Sequence, residues 1–357
     1  MLEENLLALY EPKPGKFLDH PGQLWQARYS PCGKFIVACG YDGLLHRWNV
    51  EGEEFKPLPP LAGHNGWVQC MALTPQADLL FSADSWGQLA CWAYKEETPR
   101  LVWSVAQAHP AWIRGLAVSP DGARVATCGN DSMVRIWSAA DGKVTQELPE
   151  HPNKVFSVCF HPDGQSLISG DLKGVIRHWD LATGKVARQL DAAILYQLDK
   201  IQECGGARLL AFDEKGERLV VAGQKTPGGG FATGLPAVLV FDWAAGTQLQ
   251  EMQIGVTDDG FVYDARFHPA GFVMATSCAF PGKGHVWFWK PGDEKAFFVS
   301  TTLPNGRSLS LHPDGRRLAM LVSIAANGNG RGNDAEYKDG TAKIQVLDFP
   351  QPPLAQT

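Results

Sequence analysis

Ten histidines and 38 acidic side chains are the groups in this sequence that could move protons or hold a metal ion. The pairing nearest to catalytic machinery is His109 with Asp131, two members of a Ser–His–Asp relay. No nucleophile accompanies them. The chain has no G-x-S-x-G elbow, no H-E-x-x-H and no Cys–His pairing. The eight cysteines (Cys32, Cys39, Cys70, Cys91, Cys128, Cys159, Cys204 and Cys278) form no C-x-x-C pair. Several lie in apolar runs such as VACG, VATCG and SVCF, where a thiol behaves as a small core residue. Closed zinc sites want paired Cys or His at short spacing, so neither a metal nor another cofactor is expected. No phosphate-cradling G-x-x-x-x-G-K-[ST] or G-x-G-x-x-G is present. The run Asn327–Asp339 is rich in oxygen ligands but lacks EF-hand spacing.

The histidines are instead explained by what surrounds them. A turn signature recurs as SPCGKFIVA, TPQADLLFSA, SPDGARVAT, HPDGQSLIS, DEKGERLVVA, HPAGFVMAT and HPDGRRLAM. Its second residue falls at 31, 75, 120, 162, 214, 269 and 313, giving intervals of 44, 45, 42, 52, 55 and 44. Each copy has an alternating run before the turn, a second run after it, then a third run ending in an aromatic residue. Period-2 alternation bounded by Gly, Pro, Asp and Asn is the pattern of strands and hairpins. A repeat in the forties, with three such strands and a variable fourth, reads as a propeller blade.

On these residues the chain resembles the WD40 family over nearly its whole length. The third strands close on Trp48, Trp92, Trp137, Trp179, Phe241, Trp289 and Leu347, and Trp179-Asp180 is a WD dipeptide in register. His20, His64, His109 and His151 each stand eleven residues before their turn proline, and Gly63-His64 is a true GH pair. The resemblance implies an all-β, seven-bladed propeller of four-stranded antiparallel blades in one domain. The expected blades are 20–60, 64–105, 109–148, 151–190, 203–254, 258–300 and 302–349, with a tail at 350–357. The apolar run at 5–10 is expected to be the outer strand of the seventh blade, closing the ring. A short helical turn is expected near Asp191–Gln202.

The resemblance also implies a buried His–Ser/Thr–Asp–Trp chain that braces each blade. Only the third repeat reads as complete, with His109, Thr127, Asp131 and Trp137. The first has Ala38 in place of the hydroxyl. In the second and fourth, Asp84 and Asp171 stand two residues early, and the last three repeats lack the histidine. His109 and Asp131 are therefore assigned to stability and not to catalysis.

In this architecture the connections into the first strand and those between second and third strands share one face, the top. Residues expected there include Trp25, Tyr41, Trp67, Trp86, Trp112, Arg114, Phe156, Phe261, Tyr263 and Arg307. Aromatic residues and arginine are the usual composition of binding hot spots. Single exposed apolars need no explanation, so the argument rests on the set. Two Gly-rich insertions, Gly223–Pro236 and Ser323–Gly340, are expected beside them. The expectation is a non-catalytic scaffold for a protein or peptide partner. The alternative is an enzyme, or a binder of glycan or small ligand, at the channel entrance. The net charge of −6 argues against nucleic acid, and no apolar run is long enough to span a bilayer. Reduced thiols and the lack of a signal-like N-terminus make the cytoplasm the expected location.

Overall fold

The structure, a computed structural model, describes residues 6–149, 151–199, 201–225, 234–257, 259–278, 283–324 and 340–350. Seven four-stranded antiparallel sheets follow one another along the chain. Their innermost strands are Leu24–Tyr29, Val68–Leu73, Ile113–Val118, Val155–Phe160, Leu209–Phe212, Phe261–Phe267 and Gly306–Leu311. The aromatic or leucine closing each third strand is buried in all seven blades. That follows from the alternation: one face of each blade packs on its neighbour, and the large side chain fills the gap between them.

The turn between first and second strands needs a left-handed residue. Gly33, Gly122, Gly164, Gly216, Gly271 and Gly315 all take positive φ there. In blade 2 the residue at this place is Ala77, held at φ 58°, a conformation that a Cβ disfavours.

The strand beside Thr341–Asp348 in blade 7 is Lys13–His20. This corrects the expectation for the run at 5–10, of which Leu6–Tyr10 is a short helix. An outer strand has one free edge and tolerates Pro14, with a bulge between Pro14 and Phe17. The apolar residues of the helix serve another purpose. Tyr10 packs on His268, Phe272 and Phe349, plugging the bottom between blades 6 and 7.

Neighbouring blades are stitched near the axis. Met71 N donates to Gln26 Oε1 (2.8 Å), Ser157 Oγ to Ala207 O (2.7 Å) and Leu309 N to Asp264 Oδ2 (3.0 Å). Where the ring closes, the amides of Ala27 and Tyr29 donate to Ser308 Oγ and Ser310 Oγ (2.9 and 2.8 Å). The bottom is stitched by histidines of the turns. His161, His268 and His312 donate from Nε2 to the turn-glycine carbonyls of the next blade, Gly216, Gly315 and Gly33 (3.0, 3.4 and 3.0 Å).

The interval of 52 between the fourth and fifth turns is explained by an extra hairpin. Instead of one helical turn, the chain forms a 3-10 turn at Ala193–Leu195 and strands Tyr196–Asp199 and Gln202–Gly205. Of the two Gly-rich insertions, residues 226–233 and 325–339 lie outside the described residues, and with them the oxygen-rich run 327–339.

Candidate functional site at the channel mouth

Six of the innermost strands carry a β-bulge at one common place. The register slips at Trp25, Gln69, Arg114, Phe156, Tyr263 and Arg307. A bulge re-aims its unpaired side chain, and these side chains converge on the top of the channel. All six stand six residues before the turn position of their repeat. The same count in blade 5 gives Arg208, which also lines the mouth. The sequence reading did not include Arg208, although the count from the turn that gives Tyr263 and Arg307 in the other repeats without the histidine gives it as well.

These residues and their neighbours touch one another in a closed circuit. Trp67 meets Trp112 (ring centroids 5.9 Å apart), and the Arg114 guanidinium lies 3.8 Å from the Trp112 centroid and 5.7 Å from that of Phe156. Arg208 stands 4.1 Å from Phe156 and 5.3 Å from Phe261, and Phe261 meets Tyr263 at 6.2 Å. Arg307 sits 4.5 Å from Tyr263 and 5.0 Å from Trp25. Trp25 then meets Tyr41 (5.5 Å), and Tyr41 returns to Trp67 (5.2 Å). Cations held over ring faces within about 6 Å are attracted by the ring quadrupole, so the circuit is a fixed surface.

Exposure divides the ten expected contact residues. Trp67 and Trp86 stand out, 47% and 69% exposed, while Phe156 is buried beneath Arg114 and Arg208. Phe156 therefore forms the floor of the mouth, with two guanidiniums over it. Trp25, Tyr41, Trp112, Arg114, Phe261, Tyr263 and Arg307 are half-buried. Trp86 lies at the edge of a groove with Tyr41, Trp67 and Trp112. The inner cavity, about 180 Å³, is lined by Trp25, Gln69, Arg114, Phe156, Arg208 and the stretch Phe261–Tyr263. Beside it the extra hairpin carries Leu198 and Ile201, 58% and 93% exposed.

The bracing histidines lie outside this circuit. In blade 3, Trp137 Nε1 donates to Thr127 Oγ1 (2.8 Å), His109 Nε2 meets the same hydroxyl (2.8 Å), and His109 Nδ1 meets Asp131 (2.9 Å). Hydrogen bonds from His109 and Arg135 outweigh the cost of burial and hold the Asp131 carboxyl down at about 2. Two more networks are complete, which corrects the reading that only the third repeat has one. His64, Ser82, Asp84 and Trp92 link in blade 2. His151, Ser169, Asp171 and Trp179 link in blade 4. Asp84 and Asp171 end the second strand, while Asp131 sits in the following turn. The carboxylate reaches the same histidine from either place. From the earlier place it also accepts turn amides: Trp86 N and Gln88 N on Asp84, Lys173 N and Val175 N on Asp171.

Blade 1 departs from this pattern. With Ala38 in the hydroxyl's place, His20 turns its Nδ1 to Gly22, and Asp42 bonds His46 instead (2.7 Å). His20, Asp42 and His46 form a group whose ligand atoms lie within 4.8 Å of one another.

Seven blades around a channel, with bulged inner strands and His–Ser/Thr–Asp–Trp braces, define a propeller of the WD-repeat class. The model of the "WD domain, G-beta repeat" matches residues 13–49, 55–92, 101–138 and 142–180. The chain thus carries WD40 repeats in four places within a seven-bladed propeller. Each match begins with the outer strand of one blade and ends with the third strand of the next.

The chain is similar to "Telomerase protein component 1" of Mus musculus, 29% identical over 113 residues, which is 31% of this chain and 4% of that protein. It is similar to "Ribosome biogenesis protein WDR12 homolog" of Drosophila persimilis, 29% identical over 133 residues, 36% of this chain and 30% of that one. The homolog of the same name from Chlamydomonas reinhardtii is 31% identical over 121 residues, covering 31% and 26%. The matched region spans less than a third of each of these relatives.

Proposed function

We propose that this propeller is a non-catalytic scaffold that holds a protein or peptide partner on its top face. The observation that carries the reading is the closed aromatic and guanidinium circuit, with Trp67 and Trp86 exposed at its rim. Rigid aromatics and arginine offer large contact area at little entropic cost. The inner cavity, about 180 Å³, is below the ~300 Å³ at which small-molecule pockets begin. That favours insertion of one side chain over enclosure of a whole ligand. No histidine or carboxylate is among its described lining residues, and Asp264 in the channel below is engaged by Arg28 and Leu309 N, which supports binding over catalysis.

Relatives named for ribosome biogenesis favour a partner within a larger assembly, an inference resting on about a third of this chain. Cysteines used as small residues of buried strands support a reducing compartment, and cytoplasmic residence is part of this proposal.

The test is affinity capture from native lysate with the wild type and a Trp67→Ala/Trp86→Ala variant. We expect the variant to lose the proteins that the wild type retains while melting within a few degrees of it. Equal capture by both would overturn the top-face reading.

A further inference from the structure

The chain carries a net charge of −6, yet its channel has the opposite sign. Arg28, Arg114, Arg208, Arg266 and Arg307 line it, with Asp264 as the one carboxylate among the described lining residues. Asp264 is engaged below the mouth. Its Oδ2 lies 2.8 Å from Arg28 Nη1 and accepts from Leu309 N, and its Oδ1 is 3.3 Å from Arg266 Nε.

Above it, Arg114, Arg208 and Arg307 form no ion pair with a carboxylate among the described residues. They are nonetheless held in place. Arg114 Nε donates to Asn130 Oδ1 (3.0 Å) and Arg208 Nε to Gly205 O (2.7 Å), and their guanidiniums are fixed over the rings described above. The Nε of Arg307 is buried with no hydrogen-bond partner among the described residues. Burial disfavours two of these cations: it pulls Arg208 down to about 10 and lowers Arg114, whereas Tyr263, Cys278 and Tyr41 hold Arg307 up against the same cost. An incoming anion relieves that cost, and a guanidinium fork fits two oxygens of one oxyanion.

We propose that the channel mouth receives an acidic side chain, a carboxylate or a phosphoryl group, from a peptide segment of the partner. This rests on the scaffold reading above and specifies its chemistry. Arg114 and Arg208 on the small cavity, with Arg307 on the channel that adjoins it, suit one oxyanion on a side chain, with the peptide backbone lying across the aromatic rim. The charge does not extend outward as a stripe. A nucleic-acid strand needs cations along its path, whereas the described arginines converge on the channel.

The experiment is fluorescence polarisation with fluorescein-labelled synthetic peptides: one of alternating Gly and Glu, its Gly and Gln counterpart, and a Gly-rich peptide with a single phosphoserine. A labelled oligothymidylate is the fourth probe. We expect the Glu or phosphoserine peptide to bind at least about tenfold tighter than the Gln peptide, with affinity falling as salt rises. Whichever acidic probe binds tighter assigns the group. Arg208→Gln and Arg307→Gln should each weaken binding about tenfold or more, and Arg307→Lys should restore part of it. If Arg208→Gln does not fold, Arg307→Gln carries the test, its fold checked by its own thermal melt.

Equal binding of Glu and Gln peptides, no binding of either acidic probe, or indifference to both substitutions would overturn the proposal. Tighter binding of the oligothymidylate, lost in the Arg variants, would overturn it in favour of nucleic acid. If the peptide tests fail while Trp67→Ala/Trp86→Ala still abolishes lysate capture, the scaffold stands and only the charge assignment falls.

Discussion

His64 Nδ1 meets Asp84 Oδ2 at 3.1 Å, although Asp84 stands two residues nearer the strand than Asp131 does in blade 3. The network is therefore defined by what the carboxylate reaches and not by its place in the repeat. Asp84 is fully buried and also accepts turn amides. Asp84→Ala should destabilise at least as much as Asp131→Ala, by about 1–3 kcal/mol, because donors are left buried and unpaired. Urea unfolding of both variants checks this. An Asp84→Ala midpoint equal to wild type would show the contact to be idle.

The tryptophans of the rim and those that close third strands differ sharply in burial. Trp67→Ala and Trp86→Ala should each change stability by less than about 1 kcal/mol, as surface substitutions do. Trp179 is fully buried and donates to Ser169 Oγ. Trp179→Ala should cost about 3–5 kcal/mol through the cavity it opens and the bond it breaks. Thermal melts of the three variants decide between a rim and a core for each residue.

His268 makes a bond that requires the neutral ring. Its Nδ1 accepts from Ala270 N (3.0 Å), and its Nε2 donates to Gly315 O (3.4 Å). Burial, partly offset by the Gly315 carbonyl, pulls its pKa from 6.5 to about 4. The unfolded chain therefore takes up the proton first as pH falls. The contribution of this histidine is fully present above about pH 6.5 and is lost between there and about pH 4, with a slope of up to about 1.4 kcal/mol per pH unit. His268→Gln should flatten the decline of the urea midpoint across that window. An unchanged slope would mean that His268 does not titrate there.

Ala77 occupies the left-handed turn position that glycine fills in the other six blades. Ala77→Gly should raise stability by about 0.5–1 kcal/mol, since relief of the Cβ strain exceeds the added entropy of the unfolded chain. A lower melting temperature in the variant would contradict this.

Leu198 and Ile201 are exposed toward the tip of the extra hairpin, whose last residue, Gly205, accepts a hydrogen bond from Arg208 Nε. Leu198→Ser/Ile201→Ser should leave the melt within a degree or two of wild type and weaken capture of the same partners that Trp67→Ala/Trp86→Ala loses. Unaltered capture would confine the partner to the channel mouth and the tryptophan groove.

The repeat was legible because each blade solves the same local problem. Strand alternation, a left-handed turn residue and a closing aromatic are short-range requirements, so they recur at nearly constant spacing and identify the WD40 propeller. The histidines of repeats one to four were legible for the same reason, as was the Thr127–Trp137 pairing. Two errors have opposite causes: residue type was weighed over position in one, and exact position over a side chain's reach in the other. The apolar run at 6–10 looked more like a strand than KPGKFLDH does, yet the outer strand of repeats two to four directly precedes the histidine, and Lys13–His20 holds that position. Asp84 and Asp171 looked misplaced because a side chain's reach is not a sequence property.

The residue content of the blades and the rim was thus set by the sequence itself, down to Trp25, Arg114 and Arg307 on the innermost strands. Tertiary structure decided what those residues became. Only ring closure brings Arg307 of the last blade against Trp25 of the first, and only the bulges turn separate strand positions into one mouth. Burial of Phe156 beneath two guanidiniums, and the reversal of charge in an acidic protein, depend on distances between residues far apart in the chain. Local pattern carries no such distances: each blade encodes its own strands, while the site exists only where seven of them meet.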